Sequence, residues 1–176
     1  MYTDGACSGN QFDTNVGGWG VILKYGEHSK EVYGGESNTT NNRMELTALI
    51  EGLSVLNKKG YNIRVFSDSS YLIDCLRHRW YEKWRVNGWL TSKDTPVENK
   101  DLWERLLAFL PEYEFRFYLV KGHIGKGARE DTVKKGFERF VRQNGDGFSF
   151  EEFVSIAGLN SRADELANLG IQEAIP

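Results

Sequence analysis

Residues 62–76, NIRVFSDSSYLIDCL, set a short strand directly against a helix. Asn62 to Ser67 is rich in branched and aromatic residues, as a buried strand is. Ser69 to Leu76 then starts a helix, and Asp68 falls at the junction. Upstream, the opening reads as a glycine-rich hairpin. Met1 to Ala6 is predicted as one strand, Gly17 to Tyr25 as a second and Lys30 to Gly34 as a third. Thr39-Thr40-Asn41-Asn42 supplies capping chemistry before a helix. In that helix Met44, Ala48, Leu49 and Leu53 share one apolar face, and Lys58-Lys59-Gly60 is expected to end it. Downstream, Leu102 to Leu110 reads as a further helix and Phe115 to Val120 as a fifth strand. Three strands followed by alternating helix and strand predict an α/β fold, with a mixed five-stranded sheet flanked by helices.

The chain has 176 residues, enough for one domain spanning 1–176, and its 10 Phe, 8 Tyr and 5 Trp supply a sizeable core. No apolar run approaches the roughly 20 residues of a membrane span. The N-terminus lacks a basic region followed by an apolar run, so no signal peptide is expected. Cys7 and Cys75 make no disulfide framework, and two reduced thiols in a cytoplasmic protein are expected. The formal net charge is −3, yet Arg77, Arg79, Lys83, Arg85 and Lys93 face only Glu82 between positions 77 and 93. The local field, rather than the total, decides contact with a polyanion.

Residues 125–159 behave differently. Val133, Phe137, Phe140 and Val141 make one stripe, and Phe150, Phe153, Val154 and Ala157 make another. Asn144-Gly145-Asp146-Gly147 reads as the turn of a helical hairpin. Ser161 to Leu169 is predicted as a separate last helix.

Asp4, Asp68 and Glu45 sit where elements begin or end, with Asp4 expected to close the first strand. Asp164, on the last helix, is a candidate fourth. Sites in open α/β sheets gather at strand ends near helix starts. Hydrolysis of a phosphodiester needs an activated water and a stabilised leaving oxygen, and a carboxylate cluster holding Mg²⁺ supplies both. A lone Asp at a strand end is most often a turn or cap residue.

Thr3 to Asn10 (TDGACSGN), Thr39 to Leu46 (TTNNRMEL), Ser67 to Tyr71 (SDSSY), Val120 to His123 (VKGH) and Ser161 to Ala167 (SRADELA) follow one another in this order. Together they resemble the motifs of type 1 ribonucleases H, over roughly residues 1–124 and 160–170. Residues 74–103 resemble the basic handle region of bacterial members, placed here at 77–100. The resemblance implies an endoribonuclease that hydrolyses the RNA strand of RNA–DNA hybrids, leaving 5′-phosphate and 3′-hydroxyl ends. It implies Asp4, Glu45, Asp68 and Asp164 as ligands of two Mg²⁺ (or Mn²⁺) ions, and His123 as a mobile residue assisting proton movement and product release. Asn10, Asn41 and Asn42 match residues near the RNA strand, and Thr40 and Asn99 match a pocket for a DNA-strand phosphate. Trp80 and Trp84 match the aromatic part of the DNA channel. Arg77, Arg79, Lys83 and Arg85 are expected to neutralise backbone phosphates. A monomer is expected, with no membrane partner.

The sequence also departs from the family pattern. Gln11 to Val16 lengthens the turn after Asn10. Ser70 replaces a longer polar side chain that touches substrate in many members, and Asn38 replaces a basic residue found in some. His123 and Asp164 lie 41 positions apart, so residues 126–158 read as an inserted helical hairpin. Its turn, Arg142 to Phe153, resembles a degenerate EF-hand loop. Arg142 stands at the first ligand position and Phe153 at the last, so tight Ca²⁺ binding is not expected. The alternatives are a non-catalytic hybrid-binding module and a DNA-acting nuclease of the same fold. The carboxylates with His123 argue against the first, and the handle with the Asn pair argues against the second.

Overall fold

In the computed structural model, which describes residues 1–8, 15–121, 124 and 127–175, β1 (Tyr2–Ser8) and β3 (His28–Ser37) both pair antiparallel with β2 (Val16–Tyr25). After α1 (Asn41–Ser54) the chain enters β4 (Asn62–Ser67), then α2 (Ser70–Arg77), α3 (Trp80–Val86) and α4 (Lys100–Phe109). Strand β5 (Glu114–Leu119) and helices α5 (Glu130–Asn144) and α6 (Phe150–Ala174) complete it. The sheet order is β3-β2-β1-β4-β5, with β1–β4 and β4–β5 parallel. This is the expected mixed five-stranded sheet.

Strand alternation divides the core in two. Val65 faces one layer, where Leu46, Leu49, Leu53, Leu72, Leu102 and Trp103 are buried on α1, α2 and α4. Phe66, its neighbour, faces the other. There Tyr2 and Tyr118 stack on Phe66 at 5.0 and 4.9 Å between ring centroids, and Phe140, Phe153 and Ile156 of α5 and α6 cover them. The phenylalanine stripes of the hairpin thus find their partner surface on the sheet itself.

Two expectations are corrected. The helix before β4 ends at Ser54, not at Lys58-Lys59-Gly60. Val55 and Leu56 both turn their N–H groups back to the Leu53 carbonyl, and Leu56 packs on the core. The hairpin's second arm and the last helix are one 25-residue helix. Its buried positions Phe153, Ile156, Ala157, Asn160, Ala163, Leu166, Ala167 and Gly170 form one uninterrupted stripe, so nothing breaks it near residue 160.

The turn between α5 and α6 is tied to the free edge of β5. Asn144 accepts from the Leu119 N–H and donates to the Leu119 carbonyl, both at 2.9 Å, so one amide side chain continues the sheet's hydrogen bonding. Gly145 follows at φ +90°, a conformation glycine adopts without strain. Ser149 and Glu152 close a capping box at the start of α6.

Candidate active site

Asp4 does not close its strand as expected. It is the third residue of β1, which runs on to Ser8 paired with β2. It does stand where β1 leaves β4, since their register pairs Tyr2 with Phe66 and no later residue. Beyond that point β4 ends at Ser67 and Asp68 follows. The parting of two parallel strands opens the crevice in which α/β proteins hold ligands.

Glycines admit the two helices that carry the other carboxylates. A Cβ on Gly5 would fall 2.3 Å from the Glu45 backbone nitrogen, so only glycine beside Asp4 lets the first turns of α1 lie against β1. A Cβ on Gly20, paired with Asp4 across β1 and β2, would fall 2.3 Å from the Ala163 carbonyl. That glycine admits α6 where Asp164 follows Ala163. Thr40 caps α1 through its Oγ, which accepts from the Arg43 N–H at 3.3 Å.

Asp4, Glu45 and Asp68 offer carboxylate oxygens that all lie within 4.8 Å of one another, the first two buried and the third half-buried. Asp164 reaches the same group through its interaction with Asp4. Burial pushes the Asp4 carboxyl up to about 9, and the charges of Asp68 and Asp164 act in the same direction. Glu45 is raised well above the usual carboxylate range, first by burial and then by Asp4 and Asp68, against hydrogen bonds from Ser67 and the Gly5 backbone. The Ser67 hydroxyl donates to Glu45 Oε2 at 3.4 Å. No lysine or arginine is among the main influences on Asp4 or Glu45. Buried carboxylates are normally paired or hold a metal, and an all-oxygen donor set suits a hard divalent ion.

This arrangement yields a stability prediction. In metal-free protein the folded state keeps the Asp4 proton up to about pH 9, whereas an unfolded chain releases it near the ordinary aspartate value of 3.8. Stability relative to a neutral side chain therefore falls as pH rises through that window. Asp4→Asn is expected to melt above wild type at pH 7 in chelator, and the gap should close near pH 4. Even about 1 kcal/mol of relief raises Tm by roughly 2–4 °C in a domain this size. Thermal melts at the two pH values check it, and a variant that melts below wild type at pH 7 would contradict the repulsion.

The remaining predicted site residues divide. Asn41 and Asn42 lie in the first turn of α1, and the Asn99 side chain accepts from Arg43 Nη1 at 3.5 Å. Trp80 is exposed and stacks on His78, whereas Trp84 is half-buried with its ring 5.4 Å from that of Trp103. Lys83 and Arg85 are exposed on α3, and Arg79 pairs with Glu82. Arg77 is engaged elsewhere. Its guanidinium donates to the Phe117 carbonyl at 2.9 and 2.8 Å, to the Gln143 carbonyl at 3.2 Å and to Asn144 Oδ1 at 2.5 Å. A phosphate would have to compete with those acceptors. Asn10 and His123 lie outside the described residues. Sequence reasoning missed Arg43, which pairs with Asp101 at 3.1 and 2.9 Å and joins α1 to α4 beside Asn99. A large open hollow of about 700 Å³, lined by Tyr2, Tyr25, Tyr61 and Arg64, lies toward the opposite end of β4 and holds none of the four carboxylates.

Fold and site together define an α/β protein with an acidic centre, suited to a hard divalent ion, at the split between two parallel strands. The family model for RNase H matches residues 1–135. Ribonuclease H of Syntrophomonas wolfei is 50% identical over 125 residues, covering 71% of this chain and 84% of the relative. Ribonuclease HI of Neisseria meningitidis serogroup B is 44% identical over 143 residues, covering 80% and 95%. Among solved structures, the PFV RNase H domain aligns with a TM-score of 0.59 at 20% identity, covering 98% of this chain and 93% of that one. LC9-RNase H1 aligns with a TM-score of 0.57 at 24% identity, covering 90% and 82%, and these two share the fold. The chain belongs to the RNase H family, and with it to the hydrolases. No described helix is long and apolar enough to cross a membrane.

Proposed function

We propose that this protein hydrolyses the RNA strand of RNA–DNA hybrids, with two Mg²⁺ or Mn²⁺ ions held by Asp4, Glu45, Asp68 and Asp164, and leaves 5′-phosphate and 3′-hydroxyl ends. The observation that carries the reading is the carboxylate cluster at the split between β1 and β4. Bound there, divalent ions supply an activated water and stabilise the leaving oxygen. The chain's own residues orient the substrate. Asn41 and Asn42 carry donors and acceptors that meet 2′-hydroxyls either way, as does Asn10. Thr40 and Asn99, the N-cap residues of α1 and α4, hold a DNA-strand phosphate. His123 moves a proton at the leaving group and helps release product. Trp80 and the exposed edge of Trp84 line the DNA strand. The enzyme acts as a monomer in the cytoplasm.

End-group analysis of the cleaved RNA tests this mechanism. Water attack leaves a 5′-phosphate that accepts no label from a kinase until phosphatase treatment. Ends bearing a 2′,3′-cyclic phosphate would mean that the 2′-hydroxyl attacks, and would overturn it.

Residues 126–158 serve as a structural cover, read as an insertion with no calcium role. Two side chains of that turn that would otherwise face a cation, Asn144 and Glu152, are committed to Leu119 and Ser149.

The handle sets affinity through Arg79, Lys83 and Arg85, with Arg77 anchoring its base to β5. Lys83→Glu/Arg85→Glu is expected to raise KM with little change in kcat. The slope of log(kcat/KM) against log[salt] should fall by about 2, or about 0.9 for each lost phosphate contact. An unchanged slope would turn this face away from substrate.

A further inference from the structure

Two cations carried by α1 and α2 are engaged. Arg43 is paired with Asp101, and Arg77 is spent on carbonyls. Lys121 differs. It is exposed, stands two residues beyond the end of β5, and donates from Nζ to Ser70 Oγ at 3.2 Å. Among the described residues no carboxylate pairs with it.

The two groups in that contact are held at fixed positions. The Val120 N–H donates to the Ser67 carbonyl at 2.9 Å, which places Lys121 beside the end of β4. The Ser69 N–H donates to Ser67 Oγ at 3.1 Å, and Ser69 Oγ caps α2 at the Leu72 N–H, 3.2 Å away. Ser67 Oγ itself donates to Glu45. One chain of short contacts therefore runs from the carboxylate cluster to Ser70, two residues after Asp68.

The geometry points to Lys121 as a ligand of an RNA-strand phosphate beside the one being cut, its ammonium held in place by Ser70. This rests on the hybrid-cleaving reading and adds to it a substrate contact outside the handle. A hydroxyl orients an ammonium without neutralising it, and two of its three N–H donors stay available for phosphate oxygens. The location has a purpose. A polyanion entering a cluster of four carboxylates meets repulsion, and an uncompensated positive charge at the rim lowers it. Ser70 is too short to reach substrate from the start of α2, and the lysine it holds extends further.

The test is steady-state cleavage of a short hybrid by the full chain from about 50 to 200 mM salt. Wild type is compared with Lys121→Met, Lys121→Arg and Ser70→Ala, each checked for an unchanged Tm. Lys121→Met is expected to raise KM about tenfold, keep kcat within about threefold, and lower the salt slope by about 0.9. Lys121→Arg should restore the slope. Ser70→Ala should raise KM by about two- to threefold with the slope retained, because the charge remains while its orientation is lost. If Lys121→Met keeps the wild-type KM and slope, or loses kcat alone, the assignment is overturned. Wild-type cleavage reads the hybrid-cleaving function by itself, so a wild-type enzyme inert on hybrids would overturn both readings. An active wild type with an indifferent Lys121→Met would overturn only this one.

Discussion

Asp68→Asn is expected to lose about 10³-fold or more in kcat, roughly 4 kcal/mol of transition-state stabilisation, while still binding hybrid. Asp68 follows the last residue of β4 and shares the 4.8 Å cluster with Asp4 and Glu45. Asn keeps the shape and removes one charge from the donor set. The fold should not suffer, because the substitution also relieves the repulsion that raises Asp4. Single-turnover kinetics with a binding isotherm separate the two effects. Turnover within tenfold of wild type would remove Asp68 from the metal site, and loss of binding with unchanged turnover of bound substrate would recast it as a substrate contact.

Phe153→Ala should produce the largest loss of stability, about 3–5 kcal/mol. The ring is buried, 5.3 Å from Phe140 and 5.7 Å from Phe137 between centroids, in the layer that covers Phe66. At roughly 2–4 °C per kcal/mol, Tm should fall by about 10 °C. Activity measured well below that Tm should largely persist, because Ala163, Leu166 and Ala167 still dock Asp164's half of α6 onto the sheet. A shift under about 3 °C would show that the aromatic layer contributes little cohesion. The same packing predicts the result of excising residues 126–158. Because α6 is continuous, the cut removes its first turns as well as α5 and bares Tyr2, Phe66 and Tyr118. Loss of stability is expected, together with weaker support for Asp164.

Much of this was legible in the sequence because it is local. Branched and aromatic residues in NIRVFS mark β4, and Thr40 before Asn41-Asn42 marks the start of α1. The carboxylates were legible as a set through the ordered motifs, and three come together as a cluster that Asp164 joins through Asp4. What was hidden depends on distant partners. Arg77 looks like any cation in a basic run, and only the fold brings it to carbonyls 40 and 66 residues away. Asn144 reads as a turn residue, yet its amide serves the open edge of β5. Gly5 and Gly20 read as hairpin glycines, whereas their missing side chains make room for the backbones of α1 and α6. The continuity of α6 escaped because its two halves pack on different partners, aromatic rings before Asn160 and glycine-lined strands after it.

The central claim is metal-dependent hydrolysis of RNA paired with DNA, and one digestion experiment tests it most directly. The same end-labelled RNA sequence is presented as an RNA–DNA hybrid and as duplex RNA, beside a labelled duplex DNA, with Mg²⁺ and with chelator. Cleavage confined to the RNA of the hybrid and abolished by chelator is the expected result. Equal cutting of duplex DNA, or cutting of the hybrid that survives chelation, would contradict the account.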